Sequence, residues 1–205
     1  SQKFLQLLNL FENNFLYSYD AIIYNKSDNK LPLEYHYKQK SLDNVGREGE
    51  TYLNHIIHNY DNLSEYTIFI QDDTNNHIRN YKHFISFCNN IITNKTMFAL
   101  YPSTWKAGGD VIKRQIGNGY SELHTLPSSD AIKLCCQEHN INLPCLYTTE
   151  TCAFFICHKK AILNRKKEFY IKLRNWLLSN YNNGFVLEHV WKLIFIEKNK
   201  NRKKK

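Results

Sequence analysis

The chain has 205 residues, 42% of them hydrophobic and 22% charged, a composition that can bury a core and excludes a disordered protein. It contains no apolar run of about 18 residues, which excludes a membrane-spanning helix within the sequence. Most of the formal net charge of +8 comes from residues 198–205, KNKNRKKK, which carry six basic residues and no acid. We expect one domain over residues 1–197, followed by a basic tail or linker.

The first half of the chain alternates helical and strand patterns. Residues 1–16 have an amphipathic helical pattern, and since the chain opens with Ser the sequence leaves open a segment upstream of Ser1. Strands are predicted at Tyr19–Asn25 and Tyr66–Ile70, because both are short apolar runs that end in polar residues. A helix is predicted from Arg47 to Tyr60, where apolar residues recur at i, i+3, i+4 and i+7.

The second half continues the alternation. The patterns predict a helix over 81–92, a strand over 96–101, a long loop over 102–127 with four of the seven glycines, a short helix over 129–139, a strand over 151–157, and helices over 166–180 and 186–196. Strands interleaved with helices indicate an α/β domain with a mostly parallel sheet flanked by helices. In such a sheet the polar clusters that follow the first two strands, NKSD and QDD, are expected to meet in one crevice.

The six cysteines do not have the spacing of a metal site. They lie at positions 88, 135, 136, 145, 152 and 157, with no CxxC pair and no Cys/His zinc pattern. We expect buried free thiols and therefore a reducing compartment, the cytoplasm.

Two blocks of the sequence carry a family resemblance. The first, Asn44–Asp73, reads NVGREGETYLNHIIHNYDNLSEYTIFIQDD and runs from a turn with Gly and Arg through a helix and a strand to paired carboxylates. It resembles the nucleotide-sugar half of the GT-A glycosyltransferase fold. With the second block, Ile162–Phe195, it is similar to a poorly characterised family of glycosyltransferase-like proteins of eukaryotes and large viruses. The two blocks together cover about a third of the chain.

The resemblance implies a single GT-A-like, Rossmann-like domain that moves a sugar from a UDP- or GDP-linked donor to a hydroxyl of a glycan or protein. The first strand of that fold is missing here or lies upstream of Ser1. If the protein is viral, the compartment is the host cytoplasm or the virion. One alternative is a degenerate, non-catalytic binding module. Another is nucleic-acid binding through the basic tail, which the nearly balanced charge of the remaining chain disfavours.

The resemblance places the nucleotide sugar beside the first strand and the helix start. Asn25, Lys26 and Asp28 lie where nucleoside contacts are expected, although NKSDNK is also an ordinary polar turn. Asn44 belongs to the turn before the helix, and Arg47 at the helix start can reach a diphosphate. The alternative for Arg47 is a pair with Glu48 or Glu50 on a solvated helix face.

Paired carboxylates follow the second predicted strand. Asp72 and Asp73 are hard oxygen ligands of the kind that Mn²⁺ or Mg²⁺ prefers, and a divalent cation would neutralise a departing diphosphate. The family pattern is Asp-x-Asp, and Gln71 stands in the first position here. The alternative is that the two aspartates only form a polar turn.

The second block supplies the candidate catalytic residue. Glu188 lies where the resemblance places a general base that deprotonates the acceptor hydroxyl, or else it is a surface charge. His189 is a candidate phosphate or metal contact, with a structural role as the alternative. Trp105, in the glycine-rich loop, could stack on a sugar ring or anchor the loop.

Overall fold

The computed structural model describes residues 2–28, 38–72, 78, 80–102, 129–144, 147, 149 and 153–196. The helices within these ranges are α1 (Gln2–Asn14), α2 (Arg47–Asn59), α3 (Tyr81–Thr93), α4 (Ser129–Glu138), α5 (Lys159–Ile162), α6 (Lys167–Ser179) and α7 (Asn183–Ile196), with a 3₁₀ turn at Tyr60–Asn62. The strands are β1 (Ile22–Asn25), β2 (Lys38–Ser41), β3 (Tyr66–Phe69), β4 (Phe98–Leu100) and β5 (Phe155–His158). The protein therefore has a mixed α/β fold.

Each predicted helix and strand has a counterpart among these elements, with ends that differ by a few residues. Three further elements were not predicted: β2, the 3₁₀ turn and α5. The sequence of β2 is KQKS and all four residues are exposed, so it has no burial pattern that could reveal a strand. Most of the predicted loop, residues 103–127, and the basic tail lie outside the described residues.

The described strands form two separate sheets. β1 and β2 pair in parallel, with Ile22 opposite Lys38 and Asn25 opposite Ser41. The other three strands have the order β3-β5-β4, and both of their ladders are antiparallel. The prediction of a mostly parallel sheet is therefore wrong for this three-stranded sheet. Hydrophobic periodicity records that a segment is buried but not its direction, and β5 inserts between β3 and β4 running the opposite way.

The three-stranded sheet is covered on both faces, as its central strand shows. All four residues of β5 are buried. Phe155 and Cys157 belong to one apolar cluster, while Ile156 belongs to the other. Since successive strand residues point to opposite faces, this alternation defines two layers of core around one sheet.

The larger core lies between the sheet and helices α2, α4, α6 and α7. At its centre Tyr52 of α2 packs on the rings of Phe69 and Phe155, with ring centroids 4.9 and 5.6 Å away, and on Trp191 of α7 at 6.3 Å. The smaller core joins the opposite face to α1 and α3, where Phe11 meets Phe84. Helix α2 is thus fixed to the sheet by its middle, which leaves its first turn to face α7.

The cysteines of the described residues are free thiols. Cys88, Cys135, Cys136 and Cys157 are buried and unpaired by disulfides, and burial raises the pKa of the Cys88, Cys135 and Cys157 thiols. This agrees with the expectation of buried free thiols. Cys145 and Cys152 lie outside the described residues.

No helix in the described parts of the chain is long and apolar enough to cross a membrane.

The hydroxyl of Tyr52 provides a test of the larger core. It donates a hydrogen bond of 2.9 Å to the carbonyl of Ala153, and the residue is only 4% exposed. Replacing Tyr52 with Phe removes the donor from a buried carbonyl, so we expect the free energy of unfolding to fall by about 1–2 kcal/mol. Tyr181→Phe, at a residue 72% exposed, is the matched control and should change it by under about 0.5 kcal/mol. Urea denaturation measures both, and equal values would contradict this account of the core.

Candidate functional site

The first turn of α2 has an unusual backbone. Gly46 and Arg47 both have positive φ angles, 61° and 54°, and Gly46, at the N-cap position, has no side chain that could cap the helix. The left-handed conformation is disfavoured for a residue with a side chain, so surrounding contacts must hold Arg47 in it. The first backbone N–H groups of a helix have no partner within the helix and favour an anion. The start of α2 is therefore an uncapped, positively polarised helix end.

Lys26, just after β1, holds this turn in place. Its ammonium donates hydrogen bonds to the carbonyls of Val45, at 2.6 Å, and Arg47, at 2.7 Å. It also lies 3.0 Å from Oε2 of Glu50, in an ion pair. Two of its three donors thus bind backbone carbonyls, and its charge is paired with that of Glu50. Lys26 thus contributes to the site by positioning the turn that carries Arg47.

Arg47 reaches from this turn to the start of α7. Its guanidinium lies over the ring of Phe185, with Cζ 4.1 Å from the ring centroid. Nη2 is 3.6 Å from Oε1 of Glu188, and Nε is 3.5 Å from Oε2 of Glu48. Gly184 allows this approach, because a Cβ there would lie 3.0 Å from Cδ of Arg47. The structure thus brings together two predicted site residues, Arg47 and Glu188, from the two sequence blocks.

Glu188 has an environment that favours the protonated carboxyl. Burial, the negative charge of Glu48 and a hydrogen bond to Glu48 raise its pKa to about 8, against the opposing effect of Arg47. The side chains of Glu48 and Glu188 are 12% and 18% exposed. Two carboxyls therefore share one guanidinium in a partly dry site, and the carboxyl of Glu188 is mostly protonated at neutral pH. A carboxylate with such a pKa can accept a proton from a bound hydroxyl.

Glu50 lies behind this surface and is only 1% exposed. Its Oε1 accepts hydrogen bonds from Nε and Nη2 of Arg174, at 3.0 and 2.8 Å, and from Asn54 at 3.3 Å. Burial raises the pKa of Glu50, but the hydrogen bonds and charges of Lys26 and Arg174 outweigh it and hold the pKa below its usual value. Of the two acidic partners considered for Arg47, Glu48 contacts it, while Glu50 is buried and bound to other cations.

The remaining nucleotide candidates lie around this turn with different roles. Asn25 shapes its own turn, since its Oδ1 accepts hydrogen bonds from the backbone and the hydroxyl of Ser27, both at 3.0 Å. Asp28 and Asn44 are exposed. The structure thus leaves these two side chains accessible to a ligand.

The other candidates fall outside this cluster. His189 is buried, 1% exposed, and its Nδ1 lies 2.8 Å from the carbonyl of Phe185, a structural contact within α7. Burial lowers the pKa of its imidazole, against the opposing effect of this carbonyl. Asp72 is exposed beyond the end of β3. Asp73 and Trp105 lie outside the described residues.

The ends of β1 and β3 meet on helix α2. The hydroxyl of Tyr24, in β1, lies 2.9 Å from Nδ1 of His55, and the same imidazole contacts the ring of Phe69, the last residue of β3. Burial, with a smaller effect of Lys40, lowers the pKa of His55 to about 4, so its ring is neutral at pH 7. The two strands belong to different sheets, yet both of their carboxyl ends pack on one helix. This juxtaposition brings the two strand ends together, and the crevice expected from the polar clusters stays a prediction.

The described residues contain no group of three or more His, Cys, Asp or Glu side chains that could hold a metal ion. The predicted pair is only half described, because Asp73 is outside these ranges.

Two concave regions of the surface lie away from the Arg47–Glu188 contact. One, of about 450 Å³, lies between α1 and α3, and the other, of about 400 Å³, lies beside α4, Trp176 and Asn183. Neither is lined by Lys26, Arg47 or Glu188. The candidate site is thus identified by charge and backbone geometry.

Three residues of the site were not predicted from the sequence: Glu50 as a buried ion, Arg174 and Phe185. A signal for Glu50 was present, because it falls at i−3 from Leu53 and i−7 from Ile57, on the apolar face of the predicted helix. A carboxylate on such a face requires a buried cation. No comparable signal selected Arg174 or Phe185.

The chain belongs to a family that is defined by sequence and has no assigned function. The family model, described as "Protein of unknown function (DUF3431)", matches residues 11–205. No curated protein and no solved structure matches the chain.

The protonation of Glu188 makes the stability of the fold depend on pH. Because its pKa is about 8 in the folded protein and about 4.5 unfolded, the folded state binds more protons between these values. The contribution of the protonated Glu188 to the free energy of unfolding is therefore fully present below pH 4.5 and is lost as the pH rises through 8. Between pH 5 and pH 8 we expect the free energy of unfolding of Glu188→Gln to rise by at least about 1 kcal/mol relative to that of the wild type. Urea denaturation across this range measures the difference, and a constant difference would contradict the assignment.

Proposed function

We propose that this protein is a glycosyltransferase that moves a sugar from a UDP- or GDP-linked donor to a hydroxyl of a glycan or protein. The observation that carries the proposal is the contact between Arg47 and Glu188 at the start of α2, with Lys26 holding the turn. The resemblance assigns these three residues to donor binding and to base catalysis, although they are far apart in the sequence. Their convergence supports a shared site.

The start of α2 suits the donor diphosphate. Its uncapped N–H groups and the Arg47 guanidinium are both donors that favour a doubly charged anion. Arg47 is held by two long contacts, 3.5 and 3.6 Å, and its side chain is 31% exposed. Such contacts can be exchanged for phosphate oxygens without moving the turn.

Glu188 is the base in this proposal. In its ionised form, which becomes populated as the pH rises towards 8, it takes the proton from the acceptor hydroxyl. The hydroxyl oxygen forms a bond to the anomeric carbon, and the bond from that carbon to the diphosphate breaks. The nucleoside diphosphate leaves with the electron pair of that bond. Arg47 is near enough to Glu188 to bind the leaving diphosphate in the same step.

Asp72 and Asp73 would hold the Mn²⁺ or Mg²⁺ ion of this reaction. The exposed carboxylate of Asp72 beyond β3 is an oxygen donor of the type that these ions prefer. When bound, the ion would supply positive charge to the diphosphate.

The fold is consistent with a GT-A-like domain at the level of its α/β architecture. Strand β1, which pairs in parallel with β2, and strand β3 both contact His55 of α2, the helix whose first turn carries the predicted donor site. We propose that this arrangement is the nucleotide-binding half of such a domain.

Donor binding tests the proposal directly. Calorimetry should detect binding of UDP or GDP that requires Mn²⁺, and both Arg47→Ala and Asp73→Asn should weaken it by about tenfold or more, because each removes a charge that contacts the diphosphate or the cation. The matched control is Arg165→Ala, whose guanidinium stacks on Phe169 at 4.7 Å. This control should bind as wild type does. If neither UDP nor GDP binds to the wild-type protein, the proposal is contradicted.

Glu188→Gln distinguishes an enzyme from a degenerate binding module. The donor should bind within about threefold of the wild-type affinity, since a base acts on the acceptor, while turnover of the donor should be lost. Release of UDP or GDP from the nucleotide sugar in the presence of acceptor glycans measures turnover. A wild-type protein that binds the donor but never releases nucleotide would instead support a binding module.

A further inference from the structure

Glu50 is a fully buried carboxylate with cations from two other parts of the chain around it. Lys26 follows β1 and Arg174 belongs to α6, and their nitrogen atoms lie 3.0 and 2.8 Å from the Glu50 oxygens. A buried charge without a partner is costly, so each of the three ions constrains the others. The cluster joins β1, α2 and α6 at one point.

The same lysine connects this cluster to the turn before α2. Its other two donors bind the carbonyls of Val45 and Arg47, at 2.6 and 2.7 Å. The backbone of Glu50 also takes part, because its N–H donates to the carbonyl of Gly46 at 3.0 Å. The carbonyls of residues 45–47 are thus bound by the Lys26 ammonium and by the backbone of α2. Lys26 is the ion-pair partner of Glu50, and the backbone donor is the N–H of Glu50 itself.

This turn needs such contacts. Gly46 and Arg47 are consecutive residues with left-handed backbone, which Arg47 adopts only under constraint. Gly46 also packs tightly on Glu50, since a Cβ there would lie 2.7 Å from the Cβ of Glu50. If the carboxylate lost its charge, Lys26 would lose the partner that fixes its position, and the turn could relax towards ordinary backbone angles.

We propose that Glu50 is a positioning residue: with Lys26 and Arg174 it holds the turn at residues 45–47 so that Arg47 meets Glu188. The part of this inference that concerns ligand binding rests on the proposed function. The part that concerns the turn does not, so the two can be tested separately.

Amide hydrogen exchange on the ligand-free protein tests the turn. The amides of Val45 and of position 50 donate hydrogen bonds within it, to Asp43 and Gly46, while the amide of Phe84 donates to Asn80 in distant α3. In Glu50→Gln we expect exchange at the amides of Val45 and position 50 to become about tenfold faster, while exchange at Phe84 stays unchanged. If Glu50→Gln does not fold, Lys26→Met gives the same readout, because it leaves Glu50 paired with Arg174. Unchanged exchange at Val45 and position 50 would overturn the proposal.

A double variant separates positioning from stability. Replacing both Lys26 and Glu50 with Met removes the two buried ions of the cluster together and leaves Arg174, whose side chain is 33% exposed, to solvent, so the melting temperature should rise above that of Glu50→Gln. The clamp on the turn is still absent, so exchange at Val45 should stay fast, and affinity for UDP with Mn²⁺ should stay at least about tenfold below wild type. A role in stability alone predicts that exchange and affinity recover together with the melting temperature, which would overturn the positioning role.

Lys133→Met is the matched control, because Lys133 pairs with Asp130 on the exposed surface of α4 at 3.4 Å. It should change neither exchange nor affinity. If the wild type binds no nucleotide, the proposed function fails, while the exchange data still decide whether Glu50 holds the turn.

Discussion

The packing of helix α2 is the constraint on which the candidate site depends. Its middle is fixed to the sheet by Tyr52, which contacts Phe69, Phe155 and Trp191, so its axis cannot shift without disturbing the larger core. One of its flanks meets Tyr24 of β1 through His55. The first turn is consequently directed at α7. The position of the Arg47 guanidinium therefore depends on contacts of Tyr52, about one and a half helical turns further along α2.

Charge in this site is arranged in two layers. The inner layer is Glu50 with Lys26 and Arg174, where the carboxylate stays ionised because two cations outweigh the effect of burial on its pKa. The outer layer is Arg47 with Glu48 and Glu188, where one cation serves two carboxyls and the pKa of Glu188 is raised. Two glutamates at this site, Glu50 of α2 and Glu188 of α7, thus have pKa shifts in opposite directions. A fixed inner ion and a titrating outer carboxyl suit a site in which one part must be rigid and another must exchange a proton.

The sequence predicted the elements of the fold better than their arrangement. Apolar periodicity identified α2, α3 and α6 because each buries one face, and α7 because most of its residues are apolar and buried. It could not identify β2, whose four residues are exposed. The antiparallel direction of β5 leaves no trace in such a pattern, because a strand buried on both faces reads the same in either direction.

The residues of the candidate site also divide into some that the sequence identified and others that only the structure shows. Arg47 and Glu188 were identified through the family resemblance, and the structure brings them into contact. The role of Lys26 in holding the turn depends on the left-handed backbone of Gly46 and Arg47, which becomes visible only when the chain is folded. His189 faces the protein core, although its neighbour Glu188 reaches the surface. Successive helix residues differ by about 100° in direction, and the motif alone does not show which of the two points inwards. The ion pair of Glu50 with Arg174 joins residues that no local pattern connects.

A crystal structure of the protein with UDP and Mn²⁺ tests the central claim most directly, namely that the start of α2 and the start of α7 form one donor site. The account predicts diphosphate density at the uncapped first turn of α2, within hydrogen-bonding distance of the Arg47 guanidinium, and with Glu188 facing the position of the transferred sugar. Diphosphate bound elsewhere on the protein, with the Arg47–Glu188 contact unchanged, would contradict it.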